Sequence, residues 1–301
     1  MLRPTLKTLA LFVLLCAPCA AAPGDEAGEV PFKFEKGYVV VAGTIKGREP
    51  VEFIVSTGAE RSTADFSVAR KYELQGYYTG VPPVTGSSSD RIVSYTKVPD
   101  VRVGPVGASL DMFDGSTAEI SKALGREIFG ALGCDFFRGR TLQLDFGRRV
   151  MRFLDKASAE ALRARAAGAA GAAVLEMTER EDLLRRPVKL PLVGKVTFDG
   201  KPARVMLDTG VPAVVALTSS AAKRLGLEAP PEKGAPRAGT VGSLELGGVK
   251  LSGVPVVVFP KGSPAEARLG EQGALVGSAF LQNFVVTFDF RGRGVVVLEQ
   301  L

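Results

Sequence analysis

Residues 193–227 read VGKVTFDGKPARVMLDTGVPAVVALTSSAAKRLGL, and residues 41–74 read VAGTIKGREPVEFIVSTGAERSTADFSVARKYEL. An offset of 152 residues superimposes Ser56 on Asp208 and, with them, Pro50 on Pro202, Thr57 on Thr209, Gly58 on Gly210 and Lys71 on Lys223. A second pair of segments follows in the same order. ALGCDFFRGRTLQLDF from Ala131 and LVGSAFLQNFVVTFDF from Leu275 bring Gly133 onto Gly277, Phe136 onto Phe280 and Asp145 onto Asp289, at an offset of 144. The eight-residue difference falls between the two blocks, where a loop varies freely. Matches that keep order and spacing mark an internal duplication, so the chain reads as two related halves.

In each half an aliphatic run leads into Ser or Asp, then Thr-Gly, then a further apolar stretch and a helix-like segment. The aliphatics bury a strand, the residue at the Asp position emerges in a tight turn, and Gly permits a backbone conformation that a side chain forbids. Elsewhere short apolar runs at 38–42, 51–55, 205–207, 244–246, 254–259 and 285–290 are punctuated by Gly and Pro, which predicts an all-β architecture with few helices. Residues 157–174, ASAEALRARAAGAAGAAV, differ in texture. They predict a short helix running into a flexible connection between the halves.

The duplicated motif resembles that of the pepsin-like and retroviral-type aspartic peptidases. In that family each half-site supplies Asp-Thr-Gly and, later, a strand ending in a hydrophobic pair plus Gly; here the latter are Ala131-Leu132-Gly133 and Leu275-Val276-Gly277. The resemblance covers roughly residues 35–155 and 185–301. It implies a bilobal acid-protease fold, with two homologous β-barrel-like lobes and a cleft between them. Residues 1–21 are then a signal peptide, 30–156 the N-terminal lobe, 157–182 an Ala/Gly-rich connector and 183–301 the C-terminal lobe. In the family, two adjacent carboxylates share one proton and hold the water that attacks the peptide carbonyl. The second half keeps Asp208 at this position, whereas the first has Ser56, a hydroxyl that positions water but cannot share a proton. The resemblance makes Asp208 and Ser56 the catalytic positions. It assigns Thr57, Gly58, Thr209 and Gly210 to the substrate-binding frame, with Thr57 and Thr209 as inward hydroxyls that bond across the lobes. Glu60 matches an acidic position that contacts substrate backbone in retroviral relatives; a solvated turn residue explains it equally well. Pro212 stands there in the second half.

Composition narrows the remaining chemistry. The chain has 301 residues, no His, 46% hydrophobic and 23% charged content, so imidazole triads and HExxH zinc sites are excluded. No cofactor or metal is implied. Arg3 and Lys7 before an apolar run and small residues read as a secretory signal cleaved after Ala20 or Ala21, which removes Cys16 and Cys19 and leaves Cys134 alone. One Cys makes no internal disulfide, and without a His to activate it Cys134 reads as a buried small hydrophobe. The formal charge of +6 falls to +4 on cleavage. The basic clusters Arg148, Arg149 and Arg152, and Arg185 and Arg186, read as solvated faces rather than a nucleic-acid surface. A soluble periplasmic or secreted monomer is expected, with a peptide or polypeptide ligand, no nucleic acid and no integral membrane association.

Ser220-Ala221-Ala222-Lys223 satisfies Ser-x-x-Lys, but no Lys-Thr-Gly follows, and a helix capped by Thr218 or Ser219 is the simpler reading. Gly86 to Asp90 is a candidate flap tip, with Tyr95 on the returning strand; an ordinary hairpin explains it as well. Three functions stay open: a pseudopeptidase that binds extended polypeptide, an active aspartic-type endopeptidase using Asp208, and a structural role with an empty cleft. The charged, Leu-rich start generates a direct expectation: N-terminal sequencing of exported protein finds a chain beginning near Ala21 or Ala22. Retention of residues 1–15 in exported protein would contradict the signal reading.

Overall fold

The computed structural model describes residues 27–301 except 82–90, 183, 233, 264–265 and 267–272. The signal segment and the candidate flap tip therefore lie outside the described residues.

Each half closes a ring of six strands. In the first, Tyr38–Ile45, Val51–Val55, Gly130–Leu132, Thr63–Asp65, Val106–Gly115 and Arg91–Val103 are neighbours in that order. The ring shuts through Thr44 opposite Arg102 and Ile45 opposite Val101. In the second, Leu192–Phe198, Lys201–Asp208, Ala274–Gly277, Val215–Thr218, Val249–Phe259 and Arg237–Leu246 repeat the same order and close likewise. Closure leaves no open edge within either ring and turns alternate side chains inward to a shared apolar core. Chain duplication is thus expressed as duplicated topology.

A six-stranded sheet joins the barrels. Its order is Ala172–Glu176, Val295–Gln300, Phe284–Asp289, Thr141–Asp145, Val150–Leu154 and Gly28–Glu35. At its centre Gln143 stands opposite Thr287, two residues that the 144-residue offset also equates. Gln143 Nε2 donates to Thr287 Oγ1 at 3.1 Å. A residue facing its own repeat mate marks the axis that relates the halves.

The strands run longer than the apolar runs that announced them: the stretch at 244–246 lies in Arg237–Leu246, and that at 254–259 in Val249–Phe259. Their other residues alternate inward and outward, so polar positions interrupt the apolar signal without ending the strand. The segment 157–174 begins with the expected short helix and departs from expectation only at its end. It forms the helix Lys156–Ala166, capped by Asp155, and then enters the strand Ala172–Glu176 on the edge of the inter-lobe sheet. Three of its alanines, Ala159, Ala166 and Ala173, are buried; Leu162 and Ala166 bury against Val297, with Ala172 and Val174 alongside.

Arg148, Arg149, Arg185 and Arg186 are exposed, as solvated faces require, and most of the basic residues in these clusters also make surface contacts. Arg152 pairs with Glu29 and Asp145, Arg185 with Glu181 and Arg186 with Asp111, while Arg149 lies over the Phe34 ring. Among the described residues no helix is long and apolar enough to cross a membrane.

Leu144, fully buried between the strands bearing Met151 and Val286, tests the joining sheet. Leu144→Ala leaves a cavity where both lobes meet and should destabilise the protein by roughly 2–5 kcal/mol. The midpoint of urea denaturation reads this loss; an unchanged midpoint would mean the sheet is not part of the cooperative core.

Candidate active site

Both motif strands end against a parallel neighbour. Val51–Val55 runs beside Gly130–Leu132, with Ser56 N donating to Leu132 O at 2.9 Å. Lys201–Asp208 runs beside Ala274–Gly277, with Asp208 opposite Gly277. Strands flanked in this way are buried on both faces, which is why their sequences, VEFIV and the VML before Asp208, are nearly unbroken apolar runs. The chain then turns away, leaving Ser56 and Asp208 at the strand ends.

The two ends meet. Ser56 Oγ donates to Asp208 Oδ1 at 3.0 Å, and Gly210 N donates to the same oxygen at 2.8 Å. Both side chains are buried, with residue exposures of 9% for Ser56 and 8% for Asp208. Thr57 and Thr209 form a reciprocal lock beneath them. Thr57 Oγ1 donates to Leu207 O at 3.0 Å and accepts from Thr209 N at 3.2 Å. Thr209 Oγ1 donates to Val55 O at 2.7 Å and accepts from Thr57 N at 3.3 Å. Four hydrogen bonds thus cross between the halves with every partner satisfied, the condition under which a buried polar network specifies one arrangement.

Gly58 and Gly210 serve this meeting in a way the sequence misjudged. Neither has a left-handed backbone conformation, so the requirement is not a special φ. It is proximity. A Cβ on Gly58 would lie 2.6 Å from Asp208 Cβ, and one on Gly210 would lie 2.6 Å from Ser56 Cβ. Gly133 and Gly277 admit the loops after each motif in the same manner; a Cβ there would meet Arg61 C at 2.6 Å and Ala213 O at 2.5 Å.

Burial pushes the Asp208 carboxyl above the ordinary range, against the hydrogen bonds from Gly210, Gly58 and Ser56 that favour its charged form. Glu60 is half-buried; burial raises it and Asp182 raises it further, while Arg180 opposes them. Pro212, its counterpart, is exposed and packs against the turn at Gly37. Cys134 is buried and its thiol donates to Thr57 O at 3.1 Å; burial, then the nearby carboxylates, push it well up, so it is packed rather than nucleophilic. Thr218 caps the helix Ser219–Leu225 through Ala221 N. Ser220 and Lys223 are both exposed, and Ser220 Oγ hydrogen-bonds Thr218 rather than Lys223, so no Ser/Lys pair forms. Tyr95 lies on Arg91–Val103 and stacks on Tyr77 of the neighbouring strand Gly76–Val81, with ring centroids 5.7 Å apart. Among the described residues no cluster of three or more His, Cys, Asp or Glu could hold a metal.

One constellation escaped the sequence reading. Arg61, adjacent to Glu60, is buried and donates through Nη1 to Asp182 Oδ2 at 2.6 Å and through Nη2 to Asp111 O at 3.0 Å. Asp135 accepts from Ser62 N and Ser62 Oγ, both at 2.7 Å. Arg61 stands in the quoted motif, but Asp182 sits in a charge-rich turn, RED, with no local signal.

Residues 194–273 match a family model described as Aspartyl protease. The match lies in the second half and includes Asp208, Thr209 and Gly210. It supports an aspartyl protease-like family for this domain, and the paired barrels agree with a bilobal acid-protease fold. A search of curated proteins finds no match.

The raised Asp208 carboxyl has a definite linkage sign. A folded-state value above the unfolded one lets the unfolded chain ionise first, so stability is lost as pH rises through the carboxylate range and regained on acidification. Other buried carboxylates titrate too, so the comparison is between wild type and Asp208→Asn. Chemical denaturation should show wild type gaining stability relative to Asp208→Asn as pH falls from neutral towards the acidic range. A constant difference would mean that Asp208 is not held above its ordinary value.

Proposed function

We propose that this chain is an exported aspartic-peptidase-like protein whose inter-lobe cleft holds an extended polypeptide without efficient cleavage. The observation that carries the reading is a count of carboxylates: the pair at the strand ends is one carboxylate and one hydroxyl, 3.0 Å apart. Aspartic-peptidase chemistry needs two acids that share a proton, one acting as base and the other as acid. Ser56 donates its proton to Asp208 in a hydrogen bond and titrates far outside the working range, so it cannot take the second role. Positioned acid–base catalysis contributes roughly 10²–10⁴-fold, and most of that contribution is lost with one acid.

The binding frame persists where the chemistry does not. The threonine lock and the glycine approach fix both half-sites, and Glu60 is half-buried with no hydrogen bond or ion pair among the described residues. Its carboxylate is free to accept from a ligand's backbone N–H. Pro212 offers no equivalent, so recognition is one-sided. An extended segment bound in this way follows the strand-like mode of peptide recognition.

Restoring the second acid tests the reading. Ser56→Asp should cleave unfolded polypeptide at acidic pH, and the further change Asp208→Asn should abolish that cleavage; wild type should show little or none. Robust wild-type cleavage that disappears in Asp208→Asn would overturn the proposal in favour of an active endopeptidase.

A further inference from the structure

A cavity of about 540 Å3 opens on the C-terminal barrel, away from Ser56 and Asp208 in its lining, walled by Arg180, Leu192, Gly194, Lys195, Pro202, Ala203, Arg204 and Arg224. Its charged lining is entirely cationic. The four cations come from four separate pieces of the fold: Arg180 from Thr178–Glu181, Lys195 from Leu192–Phe198, Arg204 from Lys201–Asp208 and Arg224 from the last turn of Ser219–Leu225. A local run of like charge does not explain their meeting.

Among the described residues none of the four forms an ion pair, although acids are close in sequence. Those acids are engaged elsewhere. Glu179 pairs with Lys189, Glu181 with Arg185 and Glu228 with Arg237, while Asp199 accepts from the backbone of Gly242 and Ser243. Arg204 is held by a neutral partner: its Nη2 donates to Thr178 Oγ1 at 2.7 Å, and that hydroxyl donates to Leu192 O at 2.7 Å. The guanidinium is thus held in place at an exposed position, by a neutral partner rather than by an acid. Lys195 sits in a register shift between Val193 and Val196, with a left-handed φ of 56°. Such bulges re-aim a side chain, and a lysine in this conformation is uncommon. Arg180 also acts on Glu60, the one acid whose titration it is seen to influence.

We infer that this cavity binds a compact multivalent oxyanion, one carrying several phosphate or carboxylate groups. Arginine favours such groups because its planar fork matches their geometry and it stays charged. The cavity has room for more than a single bound ion, and all four cations are exposed at its wall, where an entering anion can reach them. The inference does not rest on peptide binding at Ser56 and Asp208, although Arg180 links the cavity electrostatically to Glu60.

Titration calorimetry with tripolyphosphate and, separately, with citrate tests it on the full exported chain. At least one anion should bind, with affinity that falls as salt rises, and the anion that binds assigns phosphate or carboxylate as the source. Arg204→Gln and Arg180→Gln, on different elements, should each weaken binding about tenfold or more. Lys122→Gln, an equal loss of charge on an exposed helix of the other lobe, should leave it unchanged. Binding of neither anion, or equal weakening by all three substitutions, would overturn the inference.

Discussion

The reciprocal bonding of Thr57 and Thr209 is the constraint on which the site rests. Each hydroxyl donates to a carbonyl just before the opposite motif and accepts from the opposite amide, so neither half can shift without breaking bonds on both sides. Each bond contributes only about 0.5–1.5 kcal/mol net. Leaving its buried partners unsatisfied costs more, so the network acts through specificity rather than raw stability. The same axis passes through Gln143 and Thr287 in the joining sheet, which means that two separate layers enforce one relation between the lobes. Ser56 and Asp208 come within hydrogen-bonding distance because of this enforcement.

Charge at that meeting point follows from burial. Two adjacent buried carboxylates would have to share a proton, whereas a carboxylate facing a hydroxyl needs only donors. Asp208 has them in Ser56, Gly210 and Gly58, yet burial still raises its carboxyl. The pair is therefore a satisfied hydrogen-bonded unit rather than a proton-sharing dyad. A hydroxyl opposite the carboxylate keeps the two strand ends aligned without supplying a second acid.

The lobes, the motif strands and the pairing of Ser56 with Asp208 were legible because duplication writes them twice, at offsets that also preserve the threonines and glycines. What was not legible depends on approach between distant segments. Gly58 and Gly210 read as turn residues, whereas they are required by the proximity of Asp208 and Ser56 across the lobes. The helix in 157–174 was legible, but the strand that follows it was not, because small residues carry little apolar signal even where Ala166, Ala172 and Val174 pack by Val297. Arg180, Lys195, Arg204 and Arg224 are scattered along the chain, and only the folded arrangement of hairpin, paired strands and helix brings them to one cavity.

The halves also diverge in how each motif is covered, and the divergence is chemically consistent. The turn after Gly28–Glu35 reaches the second motif, where Gly37 packs on Pro212 and the Ser278 hydroxyl donates to Gly37 O. The hairpin after Ala172–Glu176 reaches the first motif, where Asp182 meets Arg61. Arg61, Ser62 and Asp135 have Ala213, Val214 and Ala279 as repeat mates, so a buried polar cluster on one side is matched by apolar contact on the other. A buried ion pair contributes little net stability, but removing one partner costs about 3–5 kcal/mol. Arg61 therefore depends on the longer hairpin, and the hairpin's polar tip on Arg61. With only the first half carrying an acid at Glu60, the longer cover and the buried charges both place the asymmetry of this protein on the side of Ser56.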